Sequence, residues 1–116
     1  MVYKTLQVND KELKLRISAR NAVALEKAIG ENPLNVIKSF GEEHIPSVEF
    51  IVQVLHASLQ QLEHGYTLDA CYELYDELIE QGKTILDMIL LIIDIFKVSG
   101  FIPNVDENTN PIESKK

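Results

Sequence analysis

The segment from Ile85 to Val98 constrains the fold of this chain more than any other part of the sequence. It reads ILDMILLIIDIFKV, and only Asp87, Asp94 and Lys97 interrupt its apolar residues. Spanning a bilayer takes about 20 apolar residues, so this segment is too short for a membrane helix. A helix that is apolar nearly all round must be covered nearly all round. The segment therefore predicts a helix covered either by the other helices of the domain or by a partner protein.

Capping signals place four further helices before this one. Residues that favour the N-cap position alternate along the chain with glycines that favour the left-handed position after a helix. The predicted helices lie between Ser18 and Gly30, Asn32 and Gly41, Ser47 and Gly65, Thr67 and Gly82, and Thr84 and Gly100. Thr84 and Asp87 have the spacing of an acidic capping box.

The N-terminal segment alternates with the period of a β-strand and predicts a hairpin. The inner face would carry Val2, Lys4, Leu6 and Val8 in the first run and Leu13, Leu15 and Ile17 in the second. A loop of two or four residues keeps both apolar faces on the same side, and we favour a two-residue turn at Asn9 and Asp10. The sequence thus predicts an α+β fold that is mostly α, with a hairpin and about five helices in a compact bundle. This single domain would cover residues 1–102, before a flexible polar tail over residues 103–116.

The residues that could carry catalysis or bind metal lack the partners that either role requires. His56 and His64 are eight residues apart, and no Cys or carboxylate completes a zinc-ligand set around them. Cys71 lies on the apolar stripe of its helix, which favours an inert core thiol over a nucleophile. We therefore expect no enzyme activity, no metal and no cofactor.

The distribution of charge is uneven along the chain. The formal net charge of −7 argues against nucleic acid as a ligand, because phosphate binding needs a basic surface. The hairpin is nevertheless basic, and it could dock on an acidic helix of a second subunit, or both surfaces could simply be solvated. The residues expected to mediate self-association are Lys4, Lys14 and Arg16 on the hairpin and Glu73, Glu77 and Glu80 on the helix.

The order of these elements resembles a known family. The hairpin is followed by ALEKAIGENPLNVI, then by LHASLQQLEHGYTLDACYELYDELIEQG, and then by an apolar helix that ends in SGF. This order, over about residues 2–102, is similar to the tail assembly chaperones of long-tailed phages and prophages of Gram-positive bacteria. The resemblance implies a homo-oligomeric cytoplasmic protein of the bacterial host cell that coats the tape measure protein and recruits tail tube protein. It also implies a longer form made by ribosomal frameshifting, for which the C-terminal ESKK is a candidate site.

The resemblance also implies that apolar helix faces bind the partner. The residues expected to do so are Leu90, Leu91, Ile93, Phe96 and Val98. Leu91 and Val98 fall on the side of the helix that carries the aspartates, so we expect the core to need them least. Two other functions remain open: a small structural or connector component of the virion, and a regulatory adaptor of a mobile element.

Overall fold

The N-terminal hairpin has the predicted turn and register. Strands β1 (Lys4–Val8) and β2 (Lys11–Leu15) are antiparallel, and Val8 pairs with Lys11 across a two-residue turn. Asn9 in that turn has a φ of 55°, a left-handed conformation that Asn tolerates well. The computed structural model describes residues 1–41 and 43–103.

Within the described residues, five helices follow the hairpin, as predicted. They are α1 (Ala19–Ile29), α2 (Pro33–Lys38), α3 (Val48–Leu59), α4 (Leu68–Glu80) and α5 (Ile85–Val98). Each predicted N-cap side chain accepts a hydrogen bond from a backbone N–H in the first turn of its helix, and the capping box of α5 is formed. The fold is therefore α+β and mostly α.

Helix α3 ends earlier than its sequence pattern predicts. Its last residue is Leu59, whereas the apolar spacing extends to Leu62. The Gln60 side-chain amide donates hydrogen bonds of 2.9 Å and 2.8 Å to the carbonyls of His56 and Tyr66. These bonds join the last turn of α3 to the connection that leads into α4.

Helix α3, and not the apolar helix α5, occupies the centre of the bundle. It contacts α1, α4, α5 and β2, and most of its residues are buried. The buried Ser58 carbonyl accepts a 2.9 Å hydrogen bond from the Arg16 N–H, which fastens the end of β2 to α3. The alternative in which α5 is ringed by the other four helices is therefore wrong. Helix α5 lies beside the hairpin and keeps part of its surface exposed.

Over residues 1–41 and 43–103, no helix is both long enough and apolar enough to cross a bilayer.

Candidate interaction surface on the hairpin and the last helix

The five apolar residues predicted to bind a partner lie on different sides of α5. Leu91 and Phe96 are 8% and 2% exposed and belong to the hydrophobic core. Ile93 and Val98 are half-buried, and Leu90 is 53% exposed. A partner surface that includes Leu91 and Phe96 is therefore incompatible with this packing, and the expectation that the core needs Leu91 least is wrong.

Leu91 is buried on a side of α5 that also forms an ion pair with the hairpin. The Lys4 ammonium lies 3.1 Å from the Asp94 carboxylate. The side of α5 that carries Asp94 therefore lies against β1, although the Asp94 side chain stays 43% exposed. A helical wheel that assumes every aspartate faces solvent therefore assigns this side of α5 to the surface, which is wrong.

An apolar stripe remains exposed on α5, and we call Leu86, Leu90 and Ile93 the α5 stripe. Leu86 is 61% exposed and Leu90 is 53% exposed, while Ile93 is half-buried. The spacing of four and then three residues places all three on one face of the helix. Sequence reasoning missed Leu86, although its position four residues before Leu90 was a usable signal.

A groove of about 240 Å³ separates β1 from α5, and we call it the β1–α5 groove. Its apolar lining consists of Leu6, Leu78, Met88, Leu90 and Leu91. The ion pair of Lys4 and Asp94 lines the same groove, as do Lys83 and Asp87. The groove is therefore lined by apolar and polar side chains together, with equal numbers of positive and negative groups.

The Asp87 carboxylate is held by the N-cap of α5. It accepts hydrogen bonds of 2.8 Å and 3.1 Å from the Thr84 N–H and hydroxyl. These bonds lower the pKa of Asp87, and the positive charge of Lys83 acts in the same direction. Asp87 is therefore a fixed negative charge in the groove at neutral pH.

Two of the three basic residues predicted to mediate self-association already have partners within the chain. Lys4 pairs with Asp94, and the Arg16 guanidinium donates hydrogen bonds of 2.8 Å and 3.2 Å to the carbonyls of Val98 and Val2. These contacts tie the hairpin to α5, so part of the basic surface supports the fold of the single chain.

Lys14 remains exposed, with its ammonium 5.3 Å from the centre of the Tyr3 ring. The predicted acidic partners, Glu73, Glu77 and Glu80, lie on α4, where Glu77 is half-buried and the other two are exposed. Lys11 of the hairpin lines a cavity with Glu73 and Glu77. Basic and acidic side chains of the hairpin and α4 thus line one cavity within a single chain, and docking between chains through these residues stays a prediction.

The histidines and the cysteine are scattered. His44 and His64 are exposed, and burial lowers the pKa of His56. Cys71 lies in the core, and burial raises the pKa of its thiol to about 11, which disfavours the reactive thiolate. Across residues 1–41 and 43–103, no three His, Cys, Asp or Glu side chains are grouped closely enough to hold a metal ion.

The predicted polar tail, residues 103–116, lies outside the described residues apart from Pro103, and so does the candidate frameshift site ESKK.

Comparison with known proteins returned one family. DUF6096, a family of unknown function, matches residues 1–114 of the chain. No curated protein and no solved structure matches this chain.

Proposed function

We propose that this chain, which belongs to the DUF6096 family, is a non-enzymatic tail assembly chaperone of a phage or prophage. It acts in the cytoplasm of the bacterial host. It binds the tape measure protein, keeps that protein soluble and recruits tail tube protein to it, and it works as a homo-oligomer. The observation that supports this proposal best is the α5 stripe on an acidic chain.

The α5 stripe supplies a driving force for binding an apolar helical partner. Leu86 and Leu90 are each more than half exposed, and their spacing of four residues joins them into one exposed apolar surface on α5. Burial of this surface stabilises a complex by about 25 cal/mol per Å² of apolar area. One such contact is weak, but many copies along a long partner would coat it firmly through avidity.

The net charge of −7 supplies the second property that such a chaperone needs. An apolar partner covered by acidic subunits carries a large negative charge, and like charges keep complexes dispersed. Apolar contact on one face and acidic residues elsewhere therefore suit a protein that solubilises an aggregation-prone chain.

Co-expression with the tape measure protein encoded downstream tests the proposal. We expect the tape measure protein to be soluble with this chain and to aggregate without it. Replacing the stripe by Leu86→Ser with Leu90→Ser should abolish the rescue while the helical content is retained, since neither residue is in the core.

A matched control comes from Val23 on α1, which is 49% exposed and belongs to a helix that packs on α2 and α3. Val23→Ser removes an exposed apolar side chain from a different surface and should leave the rescue intact. A tape measure protein that is equally insoluble with and without this chain would refute the proposed function. Equal loss of rescue in Val23→Ser and the stripe variant would refute the role of the stripe.

A further inference from the structure

The backbone groups of Thr5 point away from the hairpin. Thr5 is paired with Lys14 in the register of the two strands, and the Lys14 N–H donates to the Glu63 carboxylate instead of to β1. Opposed residues in an antiparallel pair either exchange both hydrogen bonds or direct both sets of groups outward. The N–H and C=O of Thr5 therefore lie on the outer edge of β1.

The outer edge of β2 is covered by the helical part of the molecule. The Arg16 N–H donates to the Ser58 carbonyl at 2.9 Å, and the Lys14 N–H donates to Glu63 at 2.9 Å. Strand addition on this side would have to displace both contacts.

The outer edge of β1 is covered only next to the turn. There the Gln81 side-chain amide accepts a hydrogen bond from the Asn9 N–H and donates one of 3.3 Å to the Gln7 carbonyl. In the part of the chain that the structure describes, no hydrogen bond from another protein group reaches the N–H or C=O of Thr5. Thr5 therefore lies at the centre of an open strand edge.

This edge also lacks the usual protection against pairing. Natural edge strands are commonly protected by proline, by bulges or by unpaired charges. The only charged residue from Tyr3 to Asn9 is Lys4, and Asp94 neutralises it at 3.1 Å. The edge is also flanked by the apolar lining of the β1–α5 groove.

We propose that a second copy of this chain adds its own β1 to this edge in antiparallel orientation. A two-fold axis at Thr5 places this residue opposite Thr5 of the second copy and Tyr3 opposite Gln7 of the second copy. The two hairpins form one four-stranded sheet, and Thr–Thr is a favourable cross-strand pair. This dimer does not rest on the proposed chaperone function.

The charges around the groove favour a second copy as the occupant. One end of the groove carries Lys4 and Asp94. The other end carries Lys83 and Asp87, close to the point where Gln81 meets the hairpin. The two-fold axis places the Lys4–Asp94 end of one copy against the Lys83–Asp87 end of the other. Each of these two contacts therefore contains two positive and two negative side chains. Two copies, each with a net charge of −7, can therefore approach at this edge without local repulsion.

Cysteine cross-linking in the full-length protein tests the axis directly. Hydrogen-bonded antiparallel partners have Cα atoms about 5.5 Å apart, within the range that a disulfide bridges. Under mild oxidation, Thr5→Cys should give a disulfide-linked dimer. Gln7→Cys is the matched control. In the proposed pairing the two copies of Gln7 are offset by four residues along the strands, which places them about 14 Å apart. Native Cys71 is buried and should not contribute.

Sedimentation of the unoxidised protein tests the edge itself. Thr5→Pro removes an N–H that points outward and makes no hydrogen bond to β2, so the hairpin should persist. The dissociation constant of the dimer should rise at least about 30-fold. Thr5→Ala keeps the N–H and should still dimerise. The proposal is overturned if the wild-type chain stays monomeric at about 100 μM, or if Gln7→Cys cross-links as well as Thr5→Cys. Should Thr5→Pro fail to fold, the cross-linking pair decides alone.

Discussion

The Lys4 ammonium lies 3.1 Å from the Asp94 carboxylate and joins β1 to the middle of α5. Both side chains are partly exposed, so the pair itself contributes at most about 1 kcal/mol. The pair is more informative about where the elements lie, because it shows that β1 packs on the side of α5 that carries Asp94 and Leu91. The neighbouring Leu90 lines the groove between β1 and α5 but remains 53% exposed.

Leu90 and Leu91 should therefore respond very differently to truncation. Leu91→Ala removes a core side chain, and we expect it to lower the free energy of unfolding by about 2 to 4 kcal/mol. Leu90→Ala should change it by less than about 0.5 kcal/mol, as expected of an exposed site. Urea unfolding followed by circular dichroism measures both values. Equal losses in the two variants would contradict this assignment of the faces of α5.

The features that the sequence predicted well depend on residues close together along the chain. The turn at Asn9 and the capping box of Thr84 and Asp87 involve neighbours, so their residue types were sufficient. The side of α5 that is buried depends on Lys4, which lies 90 positions before Asp94 in the sequence. Helical periodicity records where charges lie, but not whether a distant strand neutralises them.

The Arg16 guanidinium should be a stability determinant, because it bonds the Val98 carbonyl at the last residue of α5. A positive group at this end of a helix satisfies an otherwise unpaired carbonyl and opposes the helix dipole. We expect Arg16→Ala to cost about 1 to 2 kcal/mol in the free energy of unfolding. Lys14→Ala is the control and should cost less than about 0.5 kcal/mol. If thermal melting shows no difference between the two variants, the bond to Val98 contributes nothing.

The capping box of α5 should make stability fall in acid. Hydrogen bonds from Thr84 lower the pKa of Asp87 in the folded state below its ordinary value of 3.8. The contribution of the carboxylate is therefore complete above the unfolded-state pKa and is lost as the pH falls through the folded-state pKa. Asp87→Asn should unfold at lower urea than the wild type at about pH 7, and this difference should shrink towards about pH 2. A difference that is constant with pH would show that ionisation of Asp87 does not matter.

Cys71 should report on opening of the core. It is fully buried, and burial raises the pKa of its thiol to about 11, so the folded protein holds little thiolate. We expect a thiol-specific disulfide reagent to label native protein at least about 100-fold more slowly than unfolded protein. The labelling rate should increase with urea below the unfolding transition. Rapid labelling of native protein at neutral pH would contradict the burial of this side chain.

Salt should separate the two ways in which copies of this chain could associate. Docking of the basic hairpin on the acidic residues of α4 depends on attraction between exposed charges. Between about 0.1 M and 1 M salt the Debye length falls from about 10 Å to 3 Å, so such docking should weaken. Pairing of β1 edges instead uses main-chain hydrogen bonds, and its chief electrostatic cost is repulsion between chains of net charge −7, which salt screens.

A β1-paired dimer should therefore persist or tighten as salt rises, and Lys14→Glu should leave it intact. Sedimentation at several salt concentrations measures both effects. Dissociation by salt together with dissociation by Lys14→Glu would favour docking on α4 over pairing at Thr5.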